Sequence, residues 1–409
     1  MEHRVVITGL GIYSCIGKNL SEVTESLRTG RSGIIFAPER KEYGYRSALT
    51  GFAERPNLKD ALDRRARMML AEQGEFAFVA TAEALKTAAL DPDCIASRET
   101  GILYGNDSVV EPVINSVDIV RQKKNTMMAG SASVFRTMNS TVTMNLATIF
   151  GLKGINFTVS GACASGSHSI GLGYIMIKHG YQDCIVCGGA QETNTYSMGN
   201  FDALGVFSGR ENEPAKASRP FDRDRDGLVP SGGAATVILE SLEHARKRGA
   251  AVLGEILGYG FSSNGGHISN PSVEGPKRAM EMSLKQSGLR LRDIDYINAH
   301  ATSTPAGDSA EAKALHEIFG NDCPWTSSTK SLTGHECWMS GASETVYSTL
   351  MMLNGFIAPN LNFENPDEDS RKLKIAARTM EKNIDAFISN SFGFGGTNSA
   401  LTVGKWKED

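Results

Sequence analysis

Thr158-Val-Ser-Gly-Ala-Cys163-Ala-Ser-Gly166 is the stretch whose reading decides the fold of this chain. Ahead of it, Ile155-Asn-Phe157 alternates as a strand does. Behind it, Ile170, Tyr174 and Ile177 fall at i, i+4 and i+7, so a helix follows and ends near Gly180. Cys163 is thereby set at a tight strand-to-helix turn of small residues, facing N–H groups that have no partner within the helix. Those groups and the helix dipole favour an anion. Such a setting lowers a thiol pKa and makes a thiolate nucleophile. The competing reading is a small buried hydrophobe, the common fate of a free cysteine. The stretch alone leaves both open.

Working outward, Val5-Val-Ile-Thr8 reads as a first strand running into Gly9-Leu-Gly11. This reads as a two-glycine turn, and it lacks the third glycine of a dinucleotide-binding fingerprint. Glu22 to Leu27 is helical, and Arg64-Arg65-Ala-Arg67 opens one long helix through Phe78 to about Ala89. Further strands are expected at Ile102–Tyr104, Cys184–Gly189 and Ala234–Glu240. The chain then begins again. Gly254-Glu-Ile-Leu-Gly-Tyr-Gly260 echoes Val6-Ile-Thr-Gly-Leu-Gly11, and Leu284-Lys-Gln-Ser-Gly-Leu289 echoes Leu85-Lys-Thr-Ala-Ala-Leu90. A strand from Ile294 to Asn298, a small-residue turn and a helix ending at Gly355 repeat the order around Cys163. Each echo is weak, but their shared order predicts one α/β unit used twice, residues 1–250 and 251–409, with both faces of each sheet covered. Ligands on such sheets sit beyond the carboxyl ends of the strands, so partners for Cys163 are sought at equivalent strand ends of the second half.

Bulk properties narrow the function classes. Lys and Arg number 42 against 46 Asp and Glu, a net charge of −4, which suggests neither a nucleic-acid protein nor a membrane-surface one. The opening Met1-Glu-His-Arg4 leads straight into a strand without a signal-peptide core, and no apolar run approaches the roughly 18 residues that span a bilayer. Seven scattered cysteines fit a reducing cytoplasm better than a disulfide framework. Cys184 and Cys187 form a CxxC, but inside an expected strand and without the second ligand pair that a structural zinc site needs. No metal site is expected.

Three segments of the second half carry reactive side chains: Asn298-Ala-His300-Ala-Thr302-Ser-Thr304 through Asp308 and Glu311, Ser328-Thr-Lys330 through Thr333-Gly-His335, and Asn390-Ser-Phe392-Gly-Phe394-Gly-Gly-Thr-Asn398. Singly, each has a plain reading: a turn histidine, a surface lysine, a hairpin turn. Jointly, the motifs GACASGSHSIG, HATSTPAGDSAE, STKSLTGH and SNSFGFGGTNSAL, with SRPFDRDRDGLV and the opening VVITGLGIYSCIG, resemble the elongating β-ketoacyl-acyl-carrier-protein synthases of bacterial fatty-acid synthesis. The likeness runs from about residue 3 to 405. It implies the thiolase-like fold, duplicated α/β halves in a layered αβαβα arrangement.

The resemblance also implies roles. Cys163 would hold the acyl chain, while His300 and His335, as neutral imidazoles, would polarise the malonyl thioester and stabilise the enolate formed as CO2 leaves. Lys330 would support His335, and Glu311 would hold Lys330. The backbone N–H groups of Cys163 and Phe394 would form an oxyanion hole. Phe394, with Phe392 beside it, would gate the acyl pocket, and Thr302 and Thr304 would bind the phosphopantetheine arm. Substrates would arrive on that arm as malonyl and acyl thioesters of acyl-carrier protein, with no cofactor bound to the enzyme itself. Arg64, Arg65 and Arg67, with Lys123 and Lys124 as weaker candidates, would dock the acidic carrier. A homodimer in the cytoplasm is implied too.

Alternatives remain at this level: a synthase of a dedicated polyketide or polyene pathway, or a non-catalytic partner that sets chain length, although such partners usually lack the nucleophile. One departure from the pattern stands out. After Gly334-His335 the relatives run through small residues, whereas this chain has Glu336-Cys-Trp338-Met339 before Ser340-Gly341. Either neighbours compensate for the added bulk, or the malonyl or carrier site is reshaped.

Overall fold

A computed structural model describes residues 2–95 and 100–408. The outermost residues expected for the two halves, Met1 and Asp409, lie outside this range, as does the side chain of Cys94.

The first half runs β1 (Val5–Ser14), α1 (Glu72–Thr87), β2 (Thr100–Gly105), α2 (Thr141–Phe150), β3 (Asn156–Val159), α3 (Ser165–Lys178), β4 (Cys184–Gln191) and β5 (Gly233–Ser241). The second runs β6 (Gly254–Ser263), α4 (Glu274–Ser287), β7 (Tyr296–Asn298), α5 (Pro305–Phe319), β8 (Trp325–Ser327), α6 (Ser340–Asn354), β9 (Ala386–Phe392) and β10 (Thr397–Gly404). Strands of the first half line up as β3-β2-β4-β5-β1, and those of the second as β8-β7-β9-β10-β6. In each, the first three are parallel and the last two antiparallel. The two sets are therefore one topology used twice. They join where Val5–Ile7 pairs antiparallel with Gly254–Ile256. Helices α1 and α4 cover the outer faces, and α3 packs on α6 between the sheets, giving the five-layer αβαβα order. Strand β4 is buried along its length and reads as a continuous apolar run for that reason.

The structure changes three local readings. Gly9 and Gly11 are no turn but lie in the middle of β1, beneath α1. A Cβ on Gly11 would sit 1.9 Å from the Ala80 carbonyl oxygen, and one on Gly9 would sit 2.3 Å from that of Ala84. In the second half a Cβ on Gly260 would sit 1.8 Å from the Ala279 carbonyl oxygen, and one on Gly258 2.1 Å from that of Ser283. The glycines thus let an outer helix rest directly on strand backbone, twice. The expected long helix is two, Arg64–Met69 and α1, because Leu70 and Ala71 are extended. The break turns Leu70 into the core and leaves Arg64 and Arg65 in water. Finally, the strand leading to the helix that ends at Gly355 is β8. The strand at Tyr296–Asn298 corresponds instead to β2, since each is flanked by parallel strands on both sides.

The turns opening α3 and α6 correspond as well. Ala162 and Cys337 both take φ +47°, a conformation rare for residues with a side chain. Each is followed by one short helical turn and a helix whose first residues meet its counterpart: a Cβ on Gly341 would lie 2.4 Å from that of Ser167, and one on Gly166 would lie 2.9 Å from the Ala342 nitrogen. Position by position, Trp338 stands in the second half where Cys163 stands in the first.

Candidate active site

Cys163, His300 and His335 line one cavity of about 230 Å³, together with Thr302, Thr304, Glu311, Phe392 and Phe394. The sequence places His300 137 positions and His335 172 positions after Cys163, and the duplicated fold brings their strand ends together. The imidazole rings of His300 and His335 lie 5.3 Å apart and nearly perpendicular, and His300 is 5.7 Å from the Phe392 ring. Both histidines are held well below the usual imidazole range, first by burial and then by the Lys330 ammonium. They are neutral donors and acceptors. Nδ1 of His335 shares a hydrogen bond of 3.1 Å with the Ser340 hydroxyl, which leaves Nε2 to face the cavity. One consequence is measurable. Neither ring should take up a proton between pH 8 and pH 6, so the C2–H proton signals of His300 and His335 should not shift across that range. A titration of either signal centred on pH 6.5, the unperturbed imidazole value, would overturn the neutral assignment.

Cys163 departs from expectation in its resting state. The thiol is buried, and burial pushes it up to about 12 despite Lys330 and the Phe394 N–H acting the other way. With burial the first cause, the resting group is a thiol that must lose its proton during attack. The Phe394 N–H that donates to its sulfur sits on the turn joining β9 to β10. This turn is both the hairpin and the cavity wall. Gly393 has to be bare, because a Cβ there would come within 3.1 Å of the Cys163 nitrogen and 2.9 Å of Thr397 Cγ2. Gly395 and Gly396 take φ +78° and +76°, which glycine adopts without strain. Phe394 is partly exposed and stacks on Phe201 at 6.1 Å.

Lys330 is buried behind the histidines, and its ammonium pairs with Glu344 of α6. Glu311 does not hold it. The Glu311 carboxylate instead accepts the backbone N–H of His300 at 3.0 Å, that of Ala301 at 2.7 Å and Asn390 Nδ2 at 3.0 Å, and so fixes the loop that carries His300. Burial pushes Glu311 up to about 7 and Glu344 to about 8. Sequence reading missed Glu344. Its signal was a lone acid inside Gly341-Ala-Ser-Glu344-Thr-Val-Tyr-Ser-Thr-Leu-Met-Met352, a helix otherwise fit for full burial.

The Thr302 and Thr304 hydroxyls lie 3.0 Å apart. The SRPFDRDRDG segment braces their loop: Arg219 N–H donates to Ser303 Oγ, and the Arg225 guanidinium donates to the carbonyls of Thr304 and Pro305. The docking candidates do not line the cavity. Arg64 and Arg65 are exposed and Arg67 is half-buried on the helix Arg64–Met69. Lys123 and Lys124 are exposed at the end of a separate helix, Glu111–Lys123. Among the described residues none of these five side chains makes an ion pair, and no cluster of side chains is suited to a metal ion. Cys184 and Cys187 face opposite sides of β4, one toward each core, so they do not chelate together.

Comparison with known proteins agrees with this geometry. The chain matches the models of the beta-ketoacyl synthase N-terminal domain over residues 2–245 and C-terminal domain over residues 253–364. It is 40% identical over 401 residues to 3-oxoacyl-[acyl-carrier-protein] synthase 1 of Haemophilus influenzae, covering 97% of this chain and 98% of that one. A beta-ketoacyl synthase from Burkholderia phymatum superposes with a TM-score of 0.93 at 33% identity, over 99% of this chain and all of that one. A type II polyketide ketosynthase, solved with its acyl-carrier protein and a bound hexaketide, superposes at 0.89 with 26% identity over the full length of both chains. A paired thiol and imidazoles on a duplicated thiolase-like sheet, with both family models matched in order, place this chain in the beta-ketoacyl synthase family.

Proposed function

We propose that Cys163 carries the acyl chain and that His300 and His335 act on the malonyl unit. The reaction is the decarboxylating Claisen condensation of fatty-acid elongation. In the first half, the Cys163 thiol attacks an acyl thioester, so that the acyl–sulfur bond of the carrier breaks, the acyl–Cys163 bond forms and the carrier leaves as free thiol. In the second, malonyl-carrier loses CO2, and the electron pair of the breaking carbon–carbon bond forms the new bond to the acyl carbonyl. The product is 3-oxoacyl-carrier, and the Cys163 sulfur recovers a proton. The observation that carries this reading is the shared cavity: a thiol beside two neutral imidazoles, with the Phe394 N–H aimed at the sulfur. The imidazoles suit an enolate oxygen because a neutral donor stabilises developing charge without protonating it beforehand. Lys330 and Glu344 keep their orientation, as Glu311 does for the His300 loop.

The carrier presents its phosphopantetheine to Thr302 and Thr304, and no enzyme-bound cofactor enters the chemistry. Arg64, Arg65, Arg67 and Lys124, without ion-pair partners among the described residues, are the docking charges for an acidic carrier. A second copy of the chain pairs at β3, an edge strand whose Phe157 is 60% exposed. The scattered cysteines suit work in a reducing cytoplasm. Among the described residues no helix is long and apolar enough to cross a membrane. A polyketide or polyene assignment is not favoured: the relatives at 40% identity are 3-oxoacyl-carrier synthases, against 26% for the polyketide neighbour. Retention of the thiol and both imidazoles argues against a non-catalytic partner. Purified protein mixed with acyl-carrier and malonyl-carrier protein should yield 3-oxoacyl-carrier protein and CO2 in equal amounts. Release of neither would refute the reading.

A further inference from the structure

Trp338 occupies the turn of the second half that matches the turn of Cys163 in the first, and it faces the same apolar cluster as the thiol. Its side chain is buried, with the indole Nε1–H donating to Ser108 Oγ at 3.2 Å. The adjacent Asp107 carboxylate accepts the backbone N–H of Ala162, so the loop that anchors the indole is tied to the nucleophile's own turn. The Phe201 ring lies 6.1 Å from Trp338 on one side and 6.1 Å from Phe394 on the other. Phe201 lines the cavity and Trp338 does not.

The cavity wall carries the Thr302 and Thr304 hydroxyls and the apolar side chains of Phe201, Val206 and Leu228. The last three belong to, or pack against, the buried cluster that holds Cys163 and Trp338, a setting suited to an alkyl chain on the thiol. A chain growing from Cys163 into that cluster meets Phe201. The Phe201 ring is backed by Trp338, which is itself held by Ser108 and the buried cluster. A smaller residue at 338 would leave Phe201 room to retreat.

We propose that Trp338 is the residue that limits acyl-chain length in this enzyme: acting through Phe201, it closes the apolar side of the cavity and restricts Cys163 to short acyl groups. It is a positioning residue, since Phe201 stands between it and the reacting atoms. The inference rests on Cys163 being the acyl carrier, as proposed above.

The test measures acylation of the Cys163 peptide by mass, using acyl-carrier primers of graded length, for the wild type and for Trp338→Ala, Trp338→Phe and Ser108→Ala. The wild type should accept short primers and fall off steeply with length. Trp338→Ala should raise the long-to-short rate ratio by at least about tenfold, the discrimination a single methylene commands in an apolar pocket. Trp338→Phe should lie between, and Ser108→Ala, which frees the indole without opening a core cavity, should shift the ratio the same way by a smaller factor. A purely structural tryptophan would lower all primers together. If the ratio stays at the wild-type value in both Trp338→Phe and Ser108→Ala while short primers still acylate, the proposal is overturned and the condensing function stands. If the wild type already takes long primers as fast as short ones, the proposal also fails. Absence of acylation at every length would remove the condensing reading and this one with it.

Discussion

Cys163→Ser will carry no acyl group and condense nothing. Incubated with acyl-carrier protein, the wild-type peptide containing Cys163 gains the acyl mass and the variant peptide does not, while condensation falls by on the order of 10⁶, as when other enzymes lose their nucleophile. Burial pushes even the thiol up to about 12, so the site does little to ionise its nucleophile in advance. A serine hydroxyl in the same burial is a far weaker acid and a poorer nucleophile than the thiol. The change is close to isosteric, so the fold should be retained. An acyl adduct of wild-type size at another cysteine, with condensation intact, would move the nucleophile elsewhere; Cys337, in the same buried cluster, is the residue to check.

His300→Ala and His335→Ala should separate the two half-reactions. Each variant should still acylate Cys163, because the first transfer relies on the backbone N–H groups near the sulfur. Each should lose about 10²-fold to 10³-fold in condensation, the worth of one preorganised donor to a developing oxyanion. The double variant should lose less than the product of the two, since both rings serve one charge. His335 has its Nδ1 bonded to Ser340, whereas Nδ1 of His300 has no partner among the described residues. Ser340→Ala should therefore weaken condensation through His335 alone. Equal loss of acylation in the histidine variants would deny them the separate role and assign them to general support of the thiol.

The identity of the site was legible where chemistry demanded particular atoms at fixed spacing. Cys163, His300, His335 and the Gly393–Gly396 turn could be read because each combines a reactive group with small neighbours, and the cavity collects them all. Roles that depend on three-dimensional partners were not legible. Glu311 and Glu344 are both acids on buried helices, and only their distances show that one accepts backbone N–H groups while the other pairs with Lys330. The thiol's acidity was left open for a similar reason. A helix N-terminus is visible in a string of residues, but the burial that raises the thiol depends on segments far along the chain. The same limit made Gly9 and Gly11 look like a turn, since local sequence does not reveal a helix lying across a strand.

Those glycine seats explain why so faint an internal echo survived at all. At the chemical ends of the strands the two halves have parted company, sulfur in one corner and indole in the other. Beneath the outer helices there was nothing to exchange, because any atom added there collides with a carbonyl. Ancestry in this chain is best preserved where side chains are missing, and kinship between halves of such proteins is better sought in matched vacancies than in matched groups.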